Sequence, residues 1–242
     1  MSNKIRIDKF FSDLNVCARK DTAKFVKKGL VVVDDVVIKK SDTKIDPENN
    51  VVKLNGEVIN YSQYTYIMMN KPKGVLSATK DNTEQTVIDL IPKELLRKGL
   101  FPVGRLDKDT TGLLIITNDG DFSHKIMSPK THVYKIYQAK LDKEATLEDK
   151  EAFKNGLSTK TADFMPADLW WETEDKSLVH LSICEGKFHQ VKRMFLARGK
   201  TVLELTRLQV GGLLLDFKVP TGGCRLLKKE ELEEIFGDIH KI

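Results

Sequence analysis

The 242-residue chain is poor in cysteine and contains no long apolar run. No apolar segment approaches the roughly 20 residues that a helix needs to cross a bilayer, and the opening stretch MSNKIRIDKFFSDL lacks the apolar core of a signal peptide. The few cysteines form no CxxC pair, which argues against a disulfide framework and a zinc site. They are Cys17, Cys184 and Cys224. We therefore expect a cytoplasmic protein in a reducing environment, with no bound metal.

Charge is distributed unevenly along the chain. The formal net charge is +5, and residues 1–28 alone hold eight basic against three acidic residues, so this first segment accounts for the whole excess. A basic segment on a nearly neutral body indicates binding of a polyanion, with nucleic acid as the obvious partner. A solvated, lysine-rich helix face is the alternative interpretation.

The first 60 residues have the pattern of two helices followed by two hairpins. Phe10, Phe11 and Leu14 recur at helical spacing, and a second helix is predicted over about 21–28 because Gly29 follows it. Two β-branched runs come next, LVVVDDVVI and VVKLNGEVI, and each has a central pair suited to a tight turn. Basic residues on and beside the second helix are predicted to contact nucleic acid phosphates. These predicted phosphate-binding residues are Arg19, Lys20, Lys24, Lys27 and Lys28.

The rest of the chain predicts a second, larger domain. Residues 61–66 are polar and lack a clear period, so we predict a linker there and a domain over 67–242. Strands and helices follow one another without the strict rhythm of a doubly wound sheet, which favours a largely antiparallel α+β fold. We expect a helix from Thr83 to about Gly99, broken at Pro92, and another that Asp121 caps.

The stretch GRLDKDTTGLLIITNDGD, residues 104–121, holds four aspartates beside an apolar run. It fits the first half of an EF-hand loop, but Asn118 stands where a bidentate glutamate is needed. The DKDT segment also matches an aspartate-nucleophile phosphatase. That chemistry requires an apolar strand before the first aspartate, whereas here the apolar run follows the motif. A single catalytic carboxylate is the third interpretation.

Several motifs together resemble one family. GRLDKDTTGLL resembles the signature of pseudouridine synthases, especially the small-subunit (16S) ribosomal RNA type (RsuA-type) with an N-terminal S4 domain. MMNKPKGV, YKIYQ and EGKFHQVKRMF resemble further motifs of that family, in its order, and RIDKFFSDLNVCARKDTAKFVKKGLVVVDDVVI resembles an S4 RNA-binding domain. The resemblance spans essentially the whole chain. It implies an α+β protein with a small S4 (αL-like) domain over 1–60 and a synthase domain over 67–242. The synthase domain would have a mixed, mainly antiparallel sheet and a central cleft.

The resemblance also implies a reaction and its residues. A uridine leaves its stack, its N–C1′ bond breaks, the base rotates, and it rejoins through C5 without a redox step, so no cofactor is expected. Asp107 would be the catalytic carboxylate, either attacking C1′ or removing the C2′ proton; both roles stay open. Tyr137 would stack on the uracil or exchange a proton at C5, and Lys192 would keep Asp107 ionised. Substrate-binding roles are implied for Arg105, Arg193 and Lys71.

Other residues of these motifs are given structural roles. Asp109, Thr110 and Thr111 are expected to shape the loop through hydrogen bonds to backbone, and His189 is assigned no catalytic role. The same chemistry on 23S ribosomal RNA, or a non-catalytic RNA clamp, remains an alternative. Because no long basic tail follows Ile242, we favour the small-subunit target, as naked RNA or as an assembly intermediate. We expect a monomer without membrane association.

Overall fold

The structure is a computed structural model that describes residues 4–159, 162–237 and 239. The chain divides into two compact units. The first comprises Met1–Thr65 and Pro92–Leu100, and the second comprises Tyr66–Ile91 and Phe101–Ile242. The membership of Pro92–Leu100 in the first unit has no counterpart in the sequence pattern. Of the helices in the described part of the chain, none is long and apolar enough to cross a membrane.

The N-terminal unit contains two helices and two small antiparallel sheets. Its elements are β1 (Ile5–Arg6), α1 (Ile7–Asp13), α2 (Arg19–Lys27), β2 (Val31–Val33), β3 (Val36–Val37), β4 (Lys44–Ile45), β5 (Val52–Leu54) and β6 (Glu57–Val58). Within the described residues one sheet has the order β3-β2-β5-β6, and β1 pairs with β4. Both predicted hairpins are present. Their turns have positive φ, at Asp34 and Asp35 in one and at Asn55 and Gly56 in the other.

Apolar residues from both helices form the core of this unit. Phe10 and Phe11 are completely buried and pack edge to face, with ring centroids 5.6 Å apart. Helix α2 contributes Val26 and the hydroxyl-bearing Thr22 to the interior, and Ala23 is half-buried. The opposite face of α2 is therefore free to carry charge.

The C-terminal unit is built on one large sheet. Its elements are β7 (Tyr66–Lys71), β8 (Phe101–Pro102), β9 (Thr111–Thr117), α3 (Gly120–Met127), a 3₁₀ turn (Pro129–Thr131), β10 (Lys135–Leu141), α4 (Leu147–Lys154), β11 (Leu157–Thr159), β12 (Ala162–Phe164), β13 (Asp168–Trp170), β14 (Leu178–Ile183), α5 (Gln190–Ala197), β15 (Val202–Val210), β16 (Leu213–Leu214), β17 (Cys224–Leu226) and α6 (Lys229–Glu234).

The sheet is mixed and mainly antiparallel, as predicted. In the described residues its order is β13-β14-β10-β15-β9-β7-β17, with β16 paired to β15 and β8 paired to β9. Only the β9–β15 pair among these is parallel. Strand β9 lies in the interior of the sheet, which explains its continuous apolar run: Leu113 through Ile116 are all buried. The aspartate motif therefore leads directly into the middle of the sheet.

The predicted helix from Thr83 to Gly99 is wrong; the segment consists of turns and bends. Side chains of nearby aspartates bind the backbone groups that a helix would use. Asp81 accepts hydrogen bonds from the backbone amides of Thr83 and Glu84, and Asp89 accepts from the amide and hydroxyl of Thr86. Such bonds stabilise turns at the expense of helix. Pro92 further limits helix formation because it cannot donate.

One helix start also differs from the prediction. Helix α3 is capped by Asp119, whose carboxylate accepts from the Phe122 amide at 3.0 Å, and Asp121 lies inside the first turn. Helix α5 begins at Gln190, with His189 in the left-handed region at φ 48° as its N-cap. Consequently Phe188 precedes the helix, and its side chain is exposed.

Candidate active site

A buried lysine anchors the loop that carries Asp107. Lys71, at the end of β7, is 0% exposed. Its ammonium donates to the backbone carbonyls of Thr110 and Pro72 at 3.0 Å, Asp107 at 3.1 Å and Lys108 at 3.3 Å. The predicted role of Lys71 in substrate binding is therefore wrong: the side chain lies beneath the loop and cannot reach a substrate above it. Its contacts instead stabilise the loop backbone from Asp107 to Thr110.

Burial lowers the pKa of Lys71 to about 8, an effect that the negative charges of Asp109 and Asp107 partly oppose.

Further contacts hold both ends of this loop. The Ser77 hydroxyl donates to the Leu106 carbonyl at 2.8 Å and accepts from its amide at 3.1 Å. After the loop, Gly112 has φ 98°, and a Cβ there would lie 2.3 Å from a backbone oxygen of β15. Glycine thus permits the close β9–β15 pairing on which the loop rests.

The Asp107 carboxylate faces a lysine of helix α5. Lys192 Nζ lies 3.4 Å from Asp107 Oδ2, and the two side chains are 24% and 25% exposed. This contact agrees with the predicted ion pair. The same ammonium lies closer to Asp109, 2.5 Å from Oδ1, and this hydrogen bond lowers the pKa of Asp109. The prediction that Asp109 would bond to backbone therefore missed its ionic contact with Lys192.

Helix α5 is oriented by its buried side. Val191 and Phe195 lie in the core, which leaves the adjacent Lys192 half-buried and directed to the loop. The buried Gln190 side chain accepts from the Lys187 amide at 3.0 Å and donates to Glu185 at 2.8 Å, so the chain is fixed just before the helix. His189 Nε2 lies 3.6 Å from Asp107 Oδ1. Sequence reasoning gave His189 no role, and only its place in the EGKFHQVKRMF motif signals its proximity.

A pocket in the C-terminal unit brings the reactive groups together. Tyr137 of β10 is 9% exposed and lines the same pocket as Asp107, and the exposed Arg105 also lines it. Apolar side chains, among them Ile183 and Leu205, form part of the wall. A carboxylate, a phenol and a guanidinium therefore share one cavity with an apolar side, an arrangement suited to a flat base attached to a sugar.

Two cations on the central strands were not singled out as site residues by sequence reasoning. Burial lowers the pKa of Lys135, two residues before Tyr137, to about 8, and the charge of Arg207 lowers it further. Arg207 lies opposite Tyr137 in the β10–β15 register and donates from Nε to the Leu113 carbonyl at 2.8 Å. Arg207 thus ties β15 to β9 just behind the pocket. A lone arginine in an apolar strand is the sequence signal for such a role.

Other predicted site residues lie outside this pocket. Arg193 is not among the lining residues: its guanidinium stands 5.1 Å above the Phe164 ring centroid, and Nη1 donates to the Phe188 carbonyl at 3.2 Å. The predicted RNA-binding residues of the N-terminal unit are all exposed, and Lys24 also forms a 2.7 Å ion pair with Asp21. Those residues are Arg19, Lys20, Lys24, Lys27 and Lys28.

The positions of strands β8 and β9 argue against the phosphatase and calcium-loop interpretations of the aspartate motif. Strand β9 begins at Thr111, after the aspartates, and the preceding strand β8 ends at Pro102. Asp107 therefore does not follow directly from a strand, as the phosphatase arrangement requires. The continuation of the motif into a seven-residue buried strand also leaves no calcium loop. Across the described ranges, no group of three or more His, Cys, Asp or Glu side chains could hold a metal ion.

Comparison with known proteins finds relatives named as pseudouridine synthases. The model of a family described as RNA pseudouridylate synthase matches residues 65–197. The chain is 38% identical over 232 residues to the ribosomal small subunit pseudouridine synthase A of Vibrio cholerae, and 33% identical over 231 residues to the Escherichia coli K12 protein of the same name. Each match covers 96% of this chain and 100% of the relative.

Two further comparisons extend this similarity. An uncharacterized RNA pseudouridine synthase of Bacillus subtilis, YtzG, is 40% identical over 231 residues, covering 94% of this chain and 97% of that protein. A solved structure described as the crystal structure of pseudouridylate synthase is 32% identical, with a TM-score of 0.66 over 96% of this chain and 99% of the other. The similarity therefore includes the sequence, the fold and nearly the full length.

Proposed function

The chain belongs to the RNA pseudouridylate synthase family and isomerises uridine in RNA to pseudouridine, and on that premise we propose that its target is one uridine of 16S ribosomal RNA. Support comes from the relatives named for the ribosomal small subunit, whose whole length this chain spans. The substrate is either the RNA itself or a small-subunit assembly intermediate that contains it.

Asp107 is the reacting carboxylate in this proposal, and one observation carries the assignment. Asp107 lines a pocket with Tyr137 and has the Lys192 ammonium 3.4 Å from its Oδ2. A nearby cation stabilises the negative charge of a carboxylate. An ionised carboxylate can act either on C1′ as a nucleophile or on the C2′ proton as a base, and both routes start from this same arrangement.

The atoms balance without an added reactant. The N1–C1′ bond breaks, the uracil turns, and a C5–C1′ bond forms. The hydrogen on C5 then leaves as a proton while N1 gains one, so uridine and its product are isomers. The chain must therefore hold a detached base, support a change of charge at the sugar, and move one proton. Asp107 meets the second requirement, and no metal or organic cofactor enters any of these steps.

Tyr137 is proposed to meet the other two requirements. Tyr137 is part of the pocket wall, where its ring can stack on uracil. It is the tyrosine that lines the pocket with Asp107, and its hydroxyl can exchange the C5 proton. Arg105 is exposed at the same pocket. We assign it to the gap that the uridine leaves when it turns out of the RNA stack.

The N-terminal unit is proposed to be an S4-type RNA-binding domain. Two short helices followed by two antiparallel hairpins agree with that fold, and the exposed basic residues of α2 supply the charge. Lysine and arginine contacts to phosphate raise affinity for any RNA, and this contribution falls as salt rises. Recognition of the particular site is then left to RNA shape and unpaired bases.

The target is tested with RNA labelled with tritium at uracil C5. The protein is incubated separately with 16S RNA, 23S RNA and small-subunit assembly intermediates, with and without a metal chelator, and released tritium is counted before the modified site is mapped. We expect release from 16S RNA or its intermediates at one site, at a rate that the chelator leaves unchanged. Release from 23S RNA alone would contradict the proposed target, and a chelator-sensitive rate would contradict the cofactor-free chemistry.

A further inference from the structure

An exposed aromatic ring stands beside the pocket and has no role in the chemistry described above. The Phe188 side chain is 74% exposed. It lies in the chain between Lys187 and His189, both of which line the pocket, although Phe188 itself does not. Single exposed apolar residues are common on protein surfaces. Three further features distinguish Phe188 from such residues.

The first feature is a ring stack. The phenyl ring of Phe188 lies on the imidazole of His189, with centroids 3.8 Å apart and an interplanar angle of 19°. One face of the phenyl ring is thereby covered, and the high exposure shows that much of the remaining ring meets solvent. His189 in turn lies 3.6 Å from Asp107. The two stacked rings therefore lie next to the reacting carboxylate, with the imidazole adjacent to it.

The second feature is the backbone that holds the stack. His189 has φ 48° and ψ 34°, a left-handed conformation that costs free energy in a residue other than glycine and that is frequent at functional sites. Hydrogen bonds fix the chain just before it. The Gln190 side chain accepts from the Lys187 amide, and Arg193 donates to the Phe188 carbonyl. The backbone that carries the exposed ring is thus held in place and needs little ordering when a ligand binds.

The third feature is the charge around the ring. Arg105 is exposed at the same pocket, and Arg193 contacts the backbone of Phe188. A flat apolar face beside guanidinium groups suits a nucleic acid base and its phosphates. An apolar peptide side chain would use the ring but not the charges.

We propose that Phe188, stacked on His189 at the edge of the pocket, binds an unpaired base of the substrate RNA that neighbours the uridine entering the pocket. This inference rests on the proposed function and adds to it a preference: the flanking nucleotide must be free to leave its own stack. The ring acts by positioning the RNA strand. The enzyme would therefore favour loops, bulges or ends over continuous helix, since only unpaired bases can be stacked on a protein ring.

The test measures binding apart from chemistry. Each Phe188 variant is combined with Asp107→Asn and titrated with a fragment of the mapped ribosomal RNA site in which 2-aminopurine replaces the base next to the target uridine. Stacking quenches 2-aminopurine fluorescence. We expect Phe188→Leu, which keeps an apolar side chain but removes the ring, to lose the quenching and to bind about tenfold more weakly, within the range typical of base–aromatic stacking. Phe188→Trp should restore both.

Phe217→Leu is the matched control because Phe217 is 75% exposed and does not line the pocket. It should keep the quenching, and the melting temperatures of all variants should agree because both rings are on the surface. Unchanged quenching and affinity in Phe188→Leu would overturn the inference and would leave the proposed function standing. Absence of tritium release by the unmodified enzyme on every ribosomal RNA would instead refute the proposed function, so the two failures are distinguishable.

Discussion

The Lys192 ammonium lies 2.5 Å from Asp109 and 3.4 Å from Asp107, so one cation serves two carboxylates. Asp109 is the more exposed of the two acids, at 68% against 25%. The contact between Lys192 and the exposed Asp109 is the shorter one, but Asp107 is the acid that lines the pocket. This arrangement suggests that Asp109 holds Lys192 in position while leaving its charge available to Asp107.

The first prediction concerns the charge of Lys192. Lys192→Met removes the ammonium beside Asp107, so the carboxylate loses its charged contact and activity should fall. We expect the rate of tritium release to fall by about a hundredfold, the scale of a lost charged contact at a catalytic group. Lys192→Arg should keep most of the activity.

Asp109→Asn is the companion variant for this experiment. It removes the exposed partner of Lys192 but leaves the ammonium able to pair with Asp107, so the rate should fall by no more than about fivefold, the scale of a lost surface ion pair. If Lys192→Met and Asp109→Asn lowered the rate equally, the ion pair with Asp107 would not be the cause. Steady-state rates at one pH measure both variants directly.

The second prediction concerns the buried Lys71. The pKa of this group is about 8 in the folded chain and 10.5 in its ordinary state. Between these values the unfolded chain binds a proton that the folded chain does not, so the free energy of unfolding contributed by Lys71 increases as pH rises through that window. The stability advantage of the wild type over Lys71→Met should therefore be larger at pH 10 than at pH 7.5.

Urea unfolding of both proteins at the two pH values measures this difference. Other titrating groups are common to both chains and cancel in the comparison. Lys71→Met also removes the ammonium that donates to three loop carbonyls and to the Pro72 carbonyl, so we expect activity to fall even where the protein remains folded. If the wild type's advantage in unfolding free energy over Lys71→Met became smaller from pH 7.5 to pH 10, the lowered pKa of Lys71 would be contradicted. Full activity in a folded Lys71→Met protein would contradict the role of Lys71 as the anchor of the loop.

How much of this site is predictable from sequence depends on the kind of contact. The order of helices and strands led to the mainly antiparallel sheet, and the resemblance to pseudouridine synthases led to the pocket residues Asp107 and Tyr137 and to the contact between Asp107 and Lys192. Burial of Lys71 was not predictable, because a lysine in a polar KPKG turn has the same appearance whether its ammonium faces solvent or backbone carbonyls.

The remaining differences arise from long-range or competing interactions. Asp109 and Lys192 are 83 residues apart in the chain, and nothing local to either one signals their contact. The turns over 83–99 arise where aspartate side chains compete with helix for backbone amides, and a periodicity analysis does not weigh that competition. Similarly, the association of Pro92–Leu100 with the N-terminal unit depends on tertiary packing alone.

The third prediction concerns the basic face of α2. Replacement of Lys24, Lys27 and Lys28 by glutamine should weaken binding to ribosomal RNA and reduce the slope of log affinity against log salt, because fewer counterions are released. Glutamine at Lys143, Lys150 and Lys154, which are exposed on the C-terminal unit, makes the same change in net charge and serves as the control. Equal loss in both triple variants would show that net charge, and not the α2 face, governs binding. Filter binding over a salt series supplies both affinities.

The most direct test of the account is the rate of tritium release from C5-labelled 16S ribosomal RNA by Asp107→Asn, measured at enzyme excess beside RNA affinity. Asparagine keeps the size of the side chain and removes its charge, so folding and binding should be preserved. We predict affinity within about threefold of the wild type and a rate at least about a thousandfold lower. Release at the wild-type rate from RNA that the variant binds equally well would contradict the assignment of Asp107 as the reacting carboxylate.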